Sequence, residues 1–136
     1  MSGALEGVQQ SLVTALSAHQ PLIGGISGIF DGPPVRAAFP YIALATGASL
    51  DWSHKTGTGR ELSLAMTVQD DGETAARLHR VMALVEEALA GGLDDPPDWQ
   101  IVTFDFRRTR ILRSAVASWN GLIEYRARAL RVGTLP

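Results

Sequence analysis

The segment Glu61-Leu62-Ser63-Leu64-Ala65-Met66-Thr67-Val68 decides how this chain is read. In an extended backbone Leu62, Leu64, Met66 and Val68 point one way, while Glu61, Ser63, Ala65 and Thr67 point the other. A hydrophobic period of two marks a strand with one face in a core and one in water. Hairpin-connected strands of this kind form an antiparallel sheet, and apolar helices must cover its buried face.

Upstream of that segment, residues 51–60 (Asp-Trp-Ser-His-Lys-Thr-Gly-Thr-Gly-Arg) are polar and glycine-rich, which predicts an exposed hairpin loop. The loop connects to Tyr41–Ala48, a mostly apolar run of strand length that is read as a central strand. Residues 24–40 hold Gly24-Gly25, Pro33-Pro34 and Pro40 around one short apolar segment, Ile26 to Phe30, closed by Asp31-Gly32. Proline cannot donate to a ladder, so this stretch predicts a loop with at most a short edge strand. Before it, Leu5, Val8, Leu12 and Leu16, with Ala15, form one helical stripe. Ser2 is placed to cap that helix, and Pro21 stops it near His19.

Downstream, Asp70-Asp71-Gly72-Glu73 has capping-box spacing and predicts the start of a second helix. Leu78, Val81, Met82, Val85 and Leu89 are its stripe, and Gly91-Gly92 ends it. Asp94-Asp95-Pro96-Pro97-Asp98 reads as a stiff acidic connector. From Trp99 to Arg108, Val102, Phe104 and Phe106 alternate with Thr103, Asp105 and Arg107 and are expected to be core residues. From Trp119 to Arg131, Ile123, Tyr125, Ala127 and Ala129 alternate with Glu124, Arg126 and Arg128. Both segments read as strands. The order helix, strand, strand, helix, strand, strand predicts an α+β fold. It is a two-layer sandwich, a mainly antiparallel sheet of about four strands with two helices packed on one face. A length of 136 residues fits one domain, 1–136.

Composition narrows the function classes. No stretch approaches the roughly 18 uncharged apolar residues of a membrane-spanning helix, and no basic segment leads into an apolar one at the start. The expectation is a soluble protein made inside the cell, with no membrane partner. With no cysteine there is no disulfide framework and no thiol chemistry. Charge is unevenly spread: residues 1–98 hold twelve acidic and five basic residues, whereas residues 99–136 hold two acidic residues and seven arginines. Such a split supports a nucleic-acid surface, complementary patches on neighbouring subunits, or simply solvated strand faces. Lys55 is the one lysine, and arginine forms bidentate ion pairs that suit interfaces.

No catalytic, cofactor or metal site emerges. His19, His54 and His79 lie in a helix end, a loop and a helix flank, without zinc-ligand spacing. Glu86-Glu87 and Asp70-Asp71 are adjacent in sequence, and neighbouring helix residues diverge rather than form an acid/base dyad. Asp94, Asp95 and Asp98 lack the spacing of a calcium loop. Thr56-Gly57-Thr58-Gly59-Arg60 runs from strand to strand, whereas a phosphate loop runs into a helix. Ser53, His54 and Asp51 are too close in sequence to read as a triad. Arg107, Arg108, Arg110 and Arg113 are the most concentrated charge. Phe104, Phe106 and Trp119 nearby would suit single-stranded nucleic acid, and an acidic neighbouring subunit suits the arginines equally well.

One combination of motifs is distinctive. Ile29-Phe30-Asp31-Gly32-Pro33 precedes Pro40-Tyr41-Ile42-Ala43-Leu44, an Asp-containing polar loop and the Leu62–Val68 strand. A Gly-Glu start (Gly72-Glu73), a helix ending Ala88-Leu89, Trp119-x-Gly121 and Ile123-Glu124-Tyr125-Arg126-Ala127 follow. This order resembles the small tail-completion proteins of long-tailed bacteriophages and gene transfer agents, the DUF3168 family, over nearly the whole chain. A departure is Thr67-Val68-Gln69-Asp70, where such proteins often carry a Trp-Ser pair. The resemblance implies a structural tail terminator. Such a protein forms a sixfold ring on the finished tail tube, stops its polymerisation and presents a surface to the head connector, with DNA passing through unread. It implies a place in a virion or phage-like particle tail assembled in the bacterial cytoplasm, and no cofactor. A head-completion or stopper ring is an alternative, and a small ligand-binding α+β domain a lesser one. The expected interface residues are Asp51, Trp52, Ser53, His54, Lys55 and Arg60 of the loop, Asp94 and Asp95 of the connector, and Arg107, Arg108, Arg110 and Arg113. Trp52 is read either as an anchor for a partner or as a side chain folded back on its own domain.

Overall fold

Leu62, Leu64, Met66 and Val68 are each at most 1% exposed, on a twelve-residue strand at the centre of the molecule. The computed structural model describes residues 3–32, 34–45, 47–114 and 118–132. Its elements are α1 (Ala4–Ser17), α2 (Gln20–Ile23), β1 (Ile29–Asp31), β2 (Tyr41–Leu44), β3 (Ala48–Asp51), β4 (Gly59–Asp70), α3 (Ala76–Leu89), β5 (Trp99–Ser114) and β6 (Ser118–Arg131). The strands form one sheet in the order β1-β2-β4-β6-β5, with β3 beside the first half of β4. Only β1 and β2 run parallel; the other pairs are antiparallel.

The fold is the expected α+β sandwich, with six strands rather than about four and with a short third helix, α2, that contains Pro21. The run read as one strand, Tyr41 to Ala48, is two. Leu44 lies opposite Met66 and Ala48 opposite Ser63, so this side uses one more residue than β4 across the gap. That count is the signature of a bulge, which bends and interrupts a strand. Gly47 lies in the gap, where a Cβ would stand 3.1 Å from both the Leu5 side chain and the Ser63 carbonyl. The Ile26–Phe30 segment does yield a short edge strand, β1.

The helical stripes are as the spacing predicts. Val8, Leu12 and Leu16 of α1 and Leu78, Val81, Met82, Val85 and Leu89 of α3 are buried in one core cluster with the inward face of β4 and β6. Full burial of each such aliphatic side chain contributes about 1.5–3 kcal/mol. Gly121 on β6 leaves the space that Met82 fills, so a side chain there would displace the thioether. Ser2 lies outside the described residues, and the residue capping α1 is Gly3. Among the described residues no helix is long and apolar enough to cross a membrane.

The predicted capping box does not form. Asp70 is the last residue of β4, fully buried, and α3 begins at Ala76 behind Ala75, which makes no side-chain cap. The Asp70 carboxylate accepts from Nε of Arg77 at 3.0 Å, from Nη2 of the same residue and from the Asp71 amide at 2.9 Å. It therefore ties the end of the central strand to the first turn of α3. Burial opposes ionisation of Asp70, but the hydrogen bonds from Arg77 and the Asp71 amide outweigh it and hold the carboxyl below its ordinary value. A carboxyl that titrates lower folded than unfolded contributes its full stabilisation above about pH 4, and loses it as pH falls through the folded value. Thermal melts should therefore show the wild-type protein losing Tm below about pH 4 more steeply than Asp70→Ala, which at pH 7 should be less stable by about 1–3 kcal/mol.

Candidate assembly surfaces

The hairpin between β3 and β4 is pinned by short-range bonds. The Trp52 amide donates to the Gly59 carbonyl at 2.9 Å, and His54 and Gly57 bond to each other at 2.8 and 3.1 Å. The Ser53 hydroxyl donates to Asp51 Oδ1 at 2.6 Å and accepts from the Gly59 amide at 3.1 Å. The Ser53 hydroxyl bond, helped by the Ser53 amide and the charge of Arg60, holds the Asp51 carboxyl below its ordinary value against the opposing effect of burial. Arg60 reaches Asp51 at 3.3 Å. Trp52 is half-buried, with His54 edge-on at 4.6 Å and the Arg128 guanidinium 5.4 Å from its ring centre. Trp52 thus packs on side chains of its own chain while part of its ring stays accessible. Lys55 is left exposed at the tip.

The acidic connector lies at the same end of the sheet. The last residues of β6 run between it and the hairpin, since Arg131 donates to the Thr58 carbonyl and Val132 to that of Asp98. Asp95 accepts from the Ile101 amide at 2.8 Å and so covers the outer edge of β5 where that strand begins. Asp94 is exposed. The hairpin and connector candidates are thus brought together. The arginine candidates are not, because Arg107, Arg108, Arg110 and Arg113 occupy the far half of β5. At 3.2–3.4 Å per residue, the arginines lie roughly 26 Å (Arg107) to 46 Å (Arg113) along the strand from Trp99.

Nor do the four arginines form one patch. Bulges between Ile101 and Thr103 and between Phe106 and Arg108 reset the alternation of β5 twice. As a result Val102, expected in the core, is 46% exposed, whereas Phe106 stays in register opposite Tyr125 and edge-on to its ring, yet is 47% exposed. Phe104 stays half-buried, stacked on Tyr125 at 4.7 Å. Burial, and then the negative charge of Glu86, push the Tyr125 hydroxyl up to about 12. Arg113 stacks over Trp119 at 4.9 Å, whose indole donates to the Gly72 carbonyl at 2.9 Å.

The sheet face away from the helices carries a ladder of charge. Register sets Ala65, Glu124 and Arg108 side by side, then Ser63, Arg126 and Asp105, then Glu61, Arg128 and Thr103. Arg108 pairs with Glu124, Arg126 lies 3.7 Å from Asp105 and 3.9 Å from Glu61, and Arg128 donates to Glu61 at 3.0 Å. Three of the seven C-terminal arginines are therefore balanced within the chain. Arg107 and Arg110 have no ion pair or hydrogen bond among the described residues.

Two surface features escaped the sequence reading. Phe30, Phe39 and Tyr41 cluster at 5.5–5.7 Å near the β1 edge, on a stretch whose prolines mask any pattern. A groove of about 510 Å³ lies between α1 and that edge, lined by Glu6, Gln9, Gln10, Val13, Thr14, Asp31 and Leu44. It lies where α1 packs mainly over β3 and β4 rather than over β1. Among the described residues no group of three His, Asp or Glu is placed to hold a metal ion.

The hairpin geometry depends on one glycine. A Cβ at Gly59 would collide with the Trp52 carbonyl, lying 3.0 Å from its carbon, whereas a Cβ at Gly57 would meet nothing within 4 Å. In urea unfolding, Gly59→Ala should lose about 1–3 kcal/mol, while Gly57→Ala should stay within about 0.5 kcal/mol of wild type.

Comparison with known proteins gives this geometry a context. No curated protein sequence matches the chain. A solved chain from the virion of a native gene transfer agent particle superposes with a TM-score of 0.83 at 25% identity, covering 95% of this chain and 99% of that one. The gp17 protein of bacteriophage SPP1 shares the fold, with a TM-score of 0.64 at 19% identity over 96% of this chain and 92% of that one. The family model described as tail completion protein gp17 matches residues 10–130. The chain belongs to this tail completion family, and its role is a structural one in completing a phage-type tail.

Proposed function

We propose that this chain is a single tail-terminator-like domain that assembles as a ring, with six copies as the expected number. The ring caps the finished tail tube, stops its polymerisation and joins it to the head connector or stopper protein, with DNA passing through its centre without being read. The observation that carries this reading is the match to the tail completion family over residues 10–130. The shape supports it. A ring needs two different patches per subunit that meet head-to-tail, and the two edges of this sheet differ. One is the long β5, and the other is the short pair β1 and β3. The reading needs no catalysis: complementarity of shape and charge is enough. The hairpin at Trp52–Thr58 and the Asp94–Asp95 connector share one end of the sheet, which makes that end a surface for the tube or the connector.

A stopper ring on the head side is the competing assignment. Electron microscopy of lysates from producing cells that lack this gene separates the two. Abnormally long or uneven tails that fail to join heads are expected for a terminator. Tails of normal length beside filled, tailless heads would move the protein to the head side, and intact particles would overturn both assignments.

A further inference from the structure

The helical layer stops short of both edges of the sheet, and the two uncovered margins carry opposite charge. At the β5 margin the half of the strand nearest the connector is closed to partners, because Asp95 occupies the Ile101 amide and two bulges break the edge. Beyond Arg108 the strand pairs regularly with β6 and nothing described covers its outer edge. This part projects Arg110, without an ion pair or hydrogen bond among the described residues, and Leu112, 50% exposed. At the β1 margin the groove beside α1 presents the carboxylates of Glu6 and Asp31, also without a partner among the described residues, beside the apolar Val13 and Leu44. A basic, partly apolar rib thus stands at one side of the molecule and an acidic, partly apolar groove at the other.

We infer that the outer edge of β5 around Arg110 and Leu112 of one copy seats in the α1–β1 groove of the next, with Arg110 meeting Glu6 and Asp31 and Leu112 meeting Val13 and Leu44. The occupant is a second copy of this chain because the complementary surface lies on the chain itself, on the opposite sheet edge. That is what a heterologous contact repeating around a ring requires. Nucleic acid would be attracted to the rib but repelled by the groove. The contact rests on the ring reading above and adds to it which surfaces meet.

The absence of cysteine gives a clean test. Asp31 and Arg110 sit on strands four places apart in the sheet. At 4.7–4.9 Å per step they are roughly 19 Å apart, whereas a disulfide needs Cα atoms within about 7 Å. A bridge in the double variant Asp31→Cys/Arg110→Cys can therefore form only between copies. Purified tailed particles carrying it, treated with a mild oxidant that joins neighbouring thiols as disulfides, should give a ladder of multiples of the 14.5 kDa chain on a non-reducing denaturing gel, while each single variant should not. Formaldehyde treatment of wild-type particles runs beside it. Multimers with formaldehyde but none with the cysteine pair would overturn this contact and leave the ring standing. No multimers by either route would overturn the ring and the contact together. Charge reversal gives a second readout: Arg110→Glu or Asp31→Lys alone should lower the yield of joined particles by about tenfold or more. The two combined should recover most of it; an unchanged yield in both single variants would count against the contact.

Discussion

Everything in this molecule is referred to the backbone ladder between β4 and β6. Twelve consecutive pairs, from Gly59 opposite Leu130 to Asp70 opposite Trp119, align the two strands without a break. Side chains alternate across a sheet with a period of two, so a slip by one residue would move every one of them to the other face. In the observed register Leu62, Leu64, Met66 and Val68 share a face with Ile123, Tyr125, Ala127 and Ala129, and this face takes the helices. The same register delivers Glu61 to Arg128 and Ser63 to Arg126 on the other side. The apolar layer and the charge ladder are two readings of one alignment.

That alignment also explains which parts of the fold are legible in the sequence. A half-buried strand and a one-sided helix each announce themselves by their own period, and the stripes of α1, β4, α3 and β6 are all evident. What depends on a neighbouring strand is not. The bulges of β5 are defined only by its pairing with β6, so Val102 looks like a core residue until that pairing is known. The break between β2 and β3 is likewise a matter of how many residues face β4. Asp70 has the spacing of a helix cap, yet β4 runs on through it because Trp119 is waiting opposite.

The candidate surface shows the same limit. Four arginines in seven positions look like one basic patch, and strand geometry breaks it up. Arg108 is neutralised by Glu124, Arg113 is stacked on an indole, and Arg107 falls in a bulge. The groove beside α1 draws on residues from α1, β1 and β2 that no local pattern unites. Trp52, the obvious anchor in an exposed loop, is held by Arg128 from a strand more than seventy positions away in the chain.

The distribution of paired and unpaired charge then bears on why the sheet carries so many ions at all. Half-exposed surface pairs such as Arg126 with Asp105 or Arg128 with Glu61 contribute typically about 0–1 kcal/mol each, too little to explain a whole row of them as stabilisation. Their arrangement does something else. A bare apolar sheet face is an invitation to stack with another sheet, and alternating charge keeps that face wetted and its register unique. Pairing on the broad face leaves Arg110 at one margin, and Glu6 and Asp31 at the other, among the charges that have no partner among the described residues. Opposed charge at the margins favours edge-to-edge encounter over face-to-face stacking, and arrays that grow edge to edge from unlike patches close into rings or run on as helices. In the ring proposed above, the charge pattern of the sheet therefore favours contact between edges over stacking of faces.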